Sequence, residues 1–172
     1  MNPYELMTLR LLHICTGVFW AGASIYLAAF IAPAAKALGK DGGRFFQQLA
    51  RTNKLPIWMN IISTINILTG FRLIMIRSNN FEGWWFTGHE GACFTLGGLL
   101  ALGAYMIGLM STRPAAVRLA QIGEAVAKQG GVPTPEQIAE AEQKSAKMAK
   151  TVKVVAFHLA ATVILMAVAR TM

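Results

Sequence analysis

Four long apolar stretches, separated by polar segments, dominate the pattern of this chain. The first runs from about residue 6 to residue 35 and carries no formal charge between Leu11 and Ala35. The others span about residues 55–76, 91–110 and 152–169. Each is long enough to cross a bilayer as a helix, which takes about 17 to 25 residues. The pattern therefore predicts an all-α fold, with residues 1–172 forming a single domain built on a four-transmembrane-helix bundle.

The two longer polar segments have helical patterns of their own. Residues 42–52 carry Phe45, Phe46 and Leu49 among polar residues and predict a short amphipathic helix. Residues 113–128 show a helical repeat that ends at a Gly-Gly pair, and Thr134 and Gln137 then match the two ends of a capping box. The helical pattern continues from there into the fourth span without a breaker. We therefore expect a helical hairpin between the third and fourth spans.

Composition places the chain among membrane proteins. It is 55% hydrophobic and only 14% charged, whereas soluble domains carry about a quarter charged residues. The net charge of +8 would suggest a nucleic-acid partner in a soluble protein. Here the charges lie between apolar stretches, where they set topology and contact anionic lipid. We expect membrane lipid as a partner and no nucleic acid.

Basic residues divide unevenly between the two ends of the predicted bundle. Side A, the end with both termini and the 76–90 loop, holds four: Arg10, Arg72, Arg77 and Arg170. Side B, the end with the 36–54 loop and the hairpin, holds the other twelve. An excess of Lys and Arg marks the cytoplasmic side. This predicts a cytoplasmic hairpin in a bacterial inner membrane protein, with both termini on the periplasmic or outer face.

Three histidines are candidate ligands, because ionisable groups within spans are costly and often functional. His13 lies about one turn below side A, and His89 stands at side A just before the third span. His158 enters the fourth span from side B. Two imidazoles that bind one haem iron from opposite faces must stand at similar depth. Depth therefore favours His13 and His89 as haem iron ligands, with His158 as the runner-up.

Neighbouring residues suit a haem near side A. The guanidinium groups of Arg10 and Arg72 match the geometry of propionate carboxylates, and Gly17 shares a helical stripe with His13 and could flank a porphyrin. Simpler roles stay open, namely a histidine that hydrogen-bonds to a neighbouring helix and an Arg72 that snorkels to headgroups. Cys15 and Cys93 leave a further alternative open, a His2Cys2 site for copper or zinc.

The second span carries polar and small residues at helical spacing. Ser63, Asn66 and Gly70 stand three and four residues apart. Such residues usually join membrane helices by close packing and interhelical hydrogen bonds. We expect them to hold this span against a neighbour.

The run Leu12-His13-Ile14…Gly17…Trp20-Ala21-Gly22 resembles the LH-x(3)-G-x-x-W-x-G opening of a superfamily of small bacterial membrane proteins. That superfamily includes the HemJ-type protoporphyrinogen oxidases and the CopD copper-resistance proteins. The resemblance implies a four-helix fold and haem b bound by the residue that matches His13, with Gly17 and Trp20 as further matching positions. In the HemJ type a Lys at the start of the third helix is the second ligand; here that Lys is absent and His89 stands nearby.

These observations predict a b-type haem protein of the inner membrane that transfers electrons or oxidises a small substrate. Three other functions remain open: a protoporphyrinogen oxidase-like enzyme, a copper-handling protein, and a structural subunit whose hairpin docks a larger membrane complex. A homo-oligomer is also compatible with the pattern.

Overall fold

The computed structural model describes residues 3–169, and every regular element within that range is a helix. In chain order these are α1 (Pro3–Tyr26), a first π-helical segment (Leu27–Ile31), α2 (Ala32–Ala37), α3 (Lys40–Arg51), α4 (Leu55–Arg77), α5 (Gly83–Thr87), α6 (His89–Ile107), a second π-helical segment (Gly108–Thr112), α7 (Arg113–Lys128) and α8 (Pro135–Val168). Four continuous helical stretches are long and apolar enough to cross a membrane: Pro3–Ala37, Leu55–Arg77, His89–Lys128 and Pro135–Val168. The predicted all-α fold with four candidate spans is confirmed. Arg170 lies outside the described residues.

The predicted amphipathic helix is present as α3, and the predicted capping box is present at the start of α8. The Thr134 hydroxyl accepts a hydrogen bond from the Gln137 backbone N–H, and the Gln137 side chain accepts one from the Thr134 N–H at 2.9 Å. These bonds satisfy backbone donors that the first turn of a helix leaves free. A single helix of 34 residues follows.

Two π-helical segments, which the sequence pattern did not predict, interrupt the long helices near side B. In each, the N–H of the following residue donates to the carbonyl five residues earlier. Pro33 follows the first segment and Pro114 follows the second, each within two residues. A proline has no N–H to donate, and its ring collides with the carbonyl four residues earlier. Widening one turn relieves this collision and lets both helices continue.

The bundle has a ring-like order of helices. α1 packs against α4 and α8, and α6 packs against α8 and α4, so α1 and α6 lie diagonally. Small residues fill much of the buried core, which contains Trp20, Ala21, Ala101, Ala104, Val155 and Leu159. Many large apolar side chains point outward instead; Phe157, for example, is 74% exposed. This arrangement is typical of helices that pack closely within lipid.

Beyond the bundle at side B, α3 lies against α2 and α7, and α7 runs along the polar half of α8. Arg118 on α7 donates two hydrogen bonds to the Glu140 carboxylate, at 2.6 and 2.8 Å. Arg51 on α3 lies 3.6 Å from the Glu124 carboxylate on α7. We call this group of helices (α3, residues 114–128 of α7 and residues 135–149 of α8) the head.

Two adjacent glycines of α3 offer a matched test of how α3 is held. A Cβ on Gly42 would collide with the Ala35 carbonyl oxygen, whereas one on Gly43 would meet nothing within 4 Å. Since backbone cannot yield as a side chain can, we expect Gly42→Ala to lower the free energy of unfolding by about 1–3 kcal/mol. Gly43→Ala should be neutral or stabilise by up to about 1 kcal/mol through helix propensity. Thermal unfolding in detergent, followed by circular dichroism, measures both; equal effects would contradict the described packing.

Candidate functional site

The imidazole of His13 is anchored on α4. Its Nδ1 lies 3.0 Å from the backbone oxygen of Asn66 and 3.3 Å from the Thr69 hydroxyl. A carbonyl oxygen can only accept, and the Thr69 hydroxyl already donates its proton to the Ile65 carbonyl. The Asn66 side-chain nitrogen, a donor, lies farther from Nδ1, at 3.4 Å, so the shorter contact with the carbonyl assigns the imidazole proton to Nδ1. Nε2 is left with its lone pair and with no hydrogen-bond partner among the described residues.

This tautomer is the one that a metal-ligating histidine adopts. A ligating imidazole usually donates its other N–H to a carbonyl or carboxylate, which fixes the ring and raises its basicity. The single fully buried side-chain N or O without a partner in residues 3–169 belongs to Thr95. Nε2 of His13 also lacks a hydrogen-bond partner, so it is not fully buried.

The side chain of Asn66 on α4 forms hydrogen bonds to α1. Its side-chain N–H donates to the backbone oxygen of His13 at 2.8 Å and to the Thr16 hydroxyl at 3.2 Å. The residue itself is buried, with 6% of its surface exposed. A Cβ added to Gly17 would stand 3.0 Å from the Asn66 side-chain nitrogen, so Gly17 lets α1 approach this amide. The predicted packing role of Asn66 is confirmed.

Gly70 leaves the space that the His13 ring occupies against α4. A Cβ at this position would lie 2.8 Å from Cε1 and 3.2 Å from Nδ1 of the imidazole. A larger residue at this position would therefore require the His13 ring to shift. The spacing of four from Asn66 predicts Gly70 as a packing residue, whereas only the structure shows that its neighbour is His13.

The arginines at side A lie near this contact but have different partners. Arg72 donates to the Glu5 carboxylate at 2.8 Å, which adds a second tie between α4 and α1. Arg77 pairs with Glu90 at the same distance. Arg10 is exposed and lines a shallow groove of about 420 Å³ whose other walls all come from α1. Arg72 would have to leave Glu5 to hold a propionate, whereas Arg10 has no ion pair among the described residues.

The other two histidines lie elsewhere on the bundle. His89 is the exposed first residue of α6, and its Nε2 is 3.7 Å from the Cys93 sulfur. The hydrogen-bonding contacts of His13 and His89 thus run to different residues, and none joins the two rings within residues 3–169. Nδ1 of His158 lies 2.8 Å from the Val154 carbonyl, and its ring packs beside Gly103 on α6. His158 therefore has the same tautomer as His13.

The remaining candidates are spread out. Trp20 is 5% exposed and packs in the core with α6 and α8, two helical turns from His13. Cys15 is exposed and Cys93 is buried. Between residues 3 and 169 there is no cluster of three or more His, Cys, Asp or Glu side chains that could hold a metal ion.

Removing the Asn66 amide tests the contact between α1 and α4. We expect Asn66→Ala to lower the free energy of unfolding by about 1–2 kcal/mol, because two interhelical hydrogen bonds are lost. Asn60→Ala is the matched control, since no hydrogen bond of the Asn60 side chain is present in the described chain and only its backbone oxygen accepts. Unfolding in mixed micelles with increasing SDS measures the difference. Equal losses would argue against a special role for Asn66.

Comparisons with known proteins give no relative for this chain. No protein-family model matches it, and searches of curated proteins and of solved structures found no significant match. The resemblance to the HemJ and CopD group therefore stays a prediction.

Proposed function

We propose that this chain is a multi-pass protein of a bacterial inner membrane that binds b-type haem through His13. The bound haem would serve electron transfer or the oxidation of a small substrate. One observation carries the proposal: Nδ1 of His13 is tied to the Asn66 carbonyl while Nε2 keeps a free lone pair. A partly buried imidazole held in this state is suited to bind a metal.

The residues around His13 supply several parts of such a site. His13 would bind the iron, and the Asn66 carbonyl would hold the ring in place. Arg10, exposed and without an ion pair among the described residues, is available for a propionate. His89, at side A as well, is the proposed second ligand. Once bound, the haem would supply one-electron redox chemistry.

Haem content tests the proposal directly. The protein is expressed in haem-replete cells, purified in mild detergent, and measured by the pyridine haemochrome assay and by reduced-minus-oxidised spectra. We expect about one haem per chain in the wild type, because His13 Nε2 is free to bind iron. His13→Ala and His89→Ala should lose it, and His158→Ala should keep it. The wild-type protein remaining colourless would overturn the proposal.

The same variants distinguish the two ligand pairs. If His158→Ala loses haem while His89→Ala keeps it, the second ligand is His158, and α8 rather than α6 provides it. Circular dichroism of each variant shows whether the bundle has kept its helices. Loss of haem from a folded His13→Ala chain is the result that assigns the ligand.

We further propose that side B faces the cytoplasm. Twelve of the sixteen basic residues lie at this end, and the excess of Lys and Arg sets orientation. Alkaline phosphatase fused after residue 172 or within residues 78–82 should be active, because the enzyme matures in the periplasm. A fusion at residue 131, in the hairpin, should be inactive. The opposite activity pattern would reverse the topology.

A further inference from the structure

Charged residues at side A are largely neutralised by one another. Three basic and three acidic residues lie there within the described chain. Arg72 pairs with Glu5, and Arg77 pairs with Glu90. Glu82 accepts hydrogen bonds from the Asn79 and Trp84 side chains. Within residues 3–169, the formal charges at this end therefore sum to zero.

Within the head at side B, four cations have carboxylate partners, whereas Lys144 and Lys147 form no ion pair within residues 3–169. The ion pairs join Arg44 to Asp41, Arg51 and Lys128 to Glu124, and Arg118 to Glu140. The acidic residues of side B, five in number, all belong to the head. The charges of the head are therefore partly balanced within it.

A second group of cations at side B has no such balance. These residues, which we call the basic belt, are Lys36, Lys54, Arg113, Lys150 and Lys153. All five side chains are exposed, and none forms an ion pair within residues 3–169. The segregation is by position, because the acids lie in the head and the belt lies between the head and the apolar helices.

The belt marks the level at which the helices leave their apolar stretches. Lys36 is in the last turn of α2, Lys54 is the residue before α4, and Arg113 begins α7. On α8, Thr151 accepts a hydrogen bond from Thr112, so Lys150 and Lys153 lie beside the start of α7. All four candidate spans thus contribute a cation near the same end.

We propose that the basic belt binds the phosphate groups of anionic phospholipids in the leaflet at side B. Cations next to a membrane helix gain about 1 kcal/mol each from an anionic surface, whereas cations already paired with carboxylates gain less. The belt lacks internal carboxylates and lies at the height where headgroups meet the apolar helices. Its occupant is therefore a lipid surface, and this inference is independent of haem binding.

The test compares two variants with the same loss of charge. The belt variant carries Lys54→Gln, Arg113→Gln, Lys150→Gln and Lys153→Gln; the head variant carries Arg44→Gln, Arg51→Gln, Arg118→Gln and Lys128→Gln. Native mass spectrometry of the full-length protein in neutral detergent measures bound phosphatidylglycerol and phosphatidylcholine. We expect the wild type to prefer phosphatidylglycerol, and each belt cation removed to weaken that lipid's binding about fivefold. The head variant should keep the wild-type preference.

Three outcomes would overturn the inference. They are equal retention of both lipids by the wild type, equal loss in the belt and head variants, and displacement of phosphatidylglycerol by millimolar inorganic phosphate. The last would indicate a phosphate site rather than a lipid surface.

If the belt variant fails to fold by circular dichroism, the charge-conserving variant with Lys54→Arg, Arg113→Lys, Lys150→Arg and Lys153→Arg replaces it and should bind like wild type. Lys150→Gln alone should then still weaken binding about fivefold, and no change would refute the belt.

Discussion

The exchange of hydrogen bonds between His13 and Asn66 is the interaction on which the rest of the candidate site depends. In lipid there is little hydrophobic force between helices, so packing and interhelical hydrogen bonds must hold them together. Asn66 donates to the backbone of α1, and the His13 ring donates to the backbone of α4. This exchange fixes the rotation of α1 about its axis. It also decides which imidazole nitrogen stays free.

Other helix pairs are held in the same way, with small residues and single hydroxyls at the contact. Thr162 on α8 donates to the Gly97 carbonyl on α6 at 3.1 Å, and Thr64 on α4 lies 3.0 Å from the Tyr105 hydroxyl on α6. Glycine and alanine let backbones approach so that these short side chains can reach. The bundle is thus joined by a few polar contacts along close-packed seams. The ion pair of Arg72 with Glu5 adds a further polar contact at side A.

At side B the constraint is different, because the chain must leave the membrane while its long helices continue. Pro33 and Pro114 each interrupt the normal helical hydrogen bonding, and a π-helical segment precedes each of them. The helices then carry on into the head, where carboxylates balance many of the cations. The basic belt lies between these regions, where the apolar stretches end.

The sequence by itself determined the four spans, the length of α8, its capping box and the charge asymmetry between the ends. These features depend on local composition and spacing, which a linear pattern records. It also predicted the depth of each histidine, but depth leaves the direction of a side chain around its helix undefined. Only the tertiary structure showed that His13 faces α4, that α6 lies diagonally from α1, and that Arg72 already pairs with Glu5. Helix rotation is set by contacts between residues more than fifty positions apart, such as His13 with Asn66 and Gly70, and no local pattern specifies them.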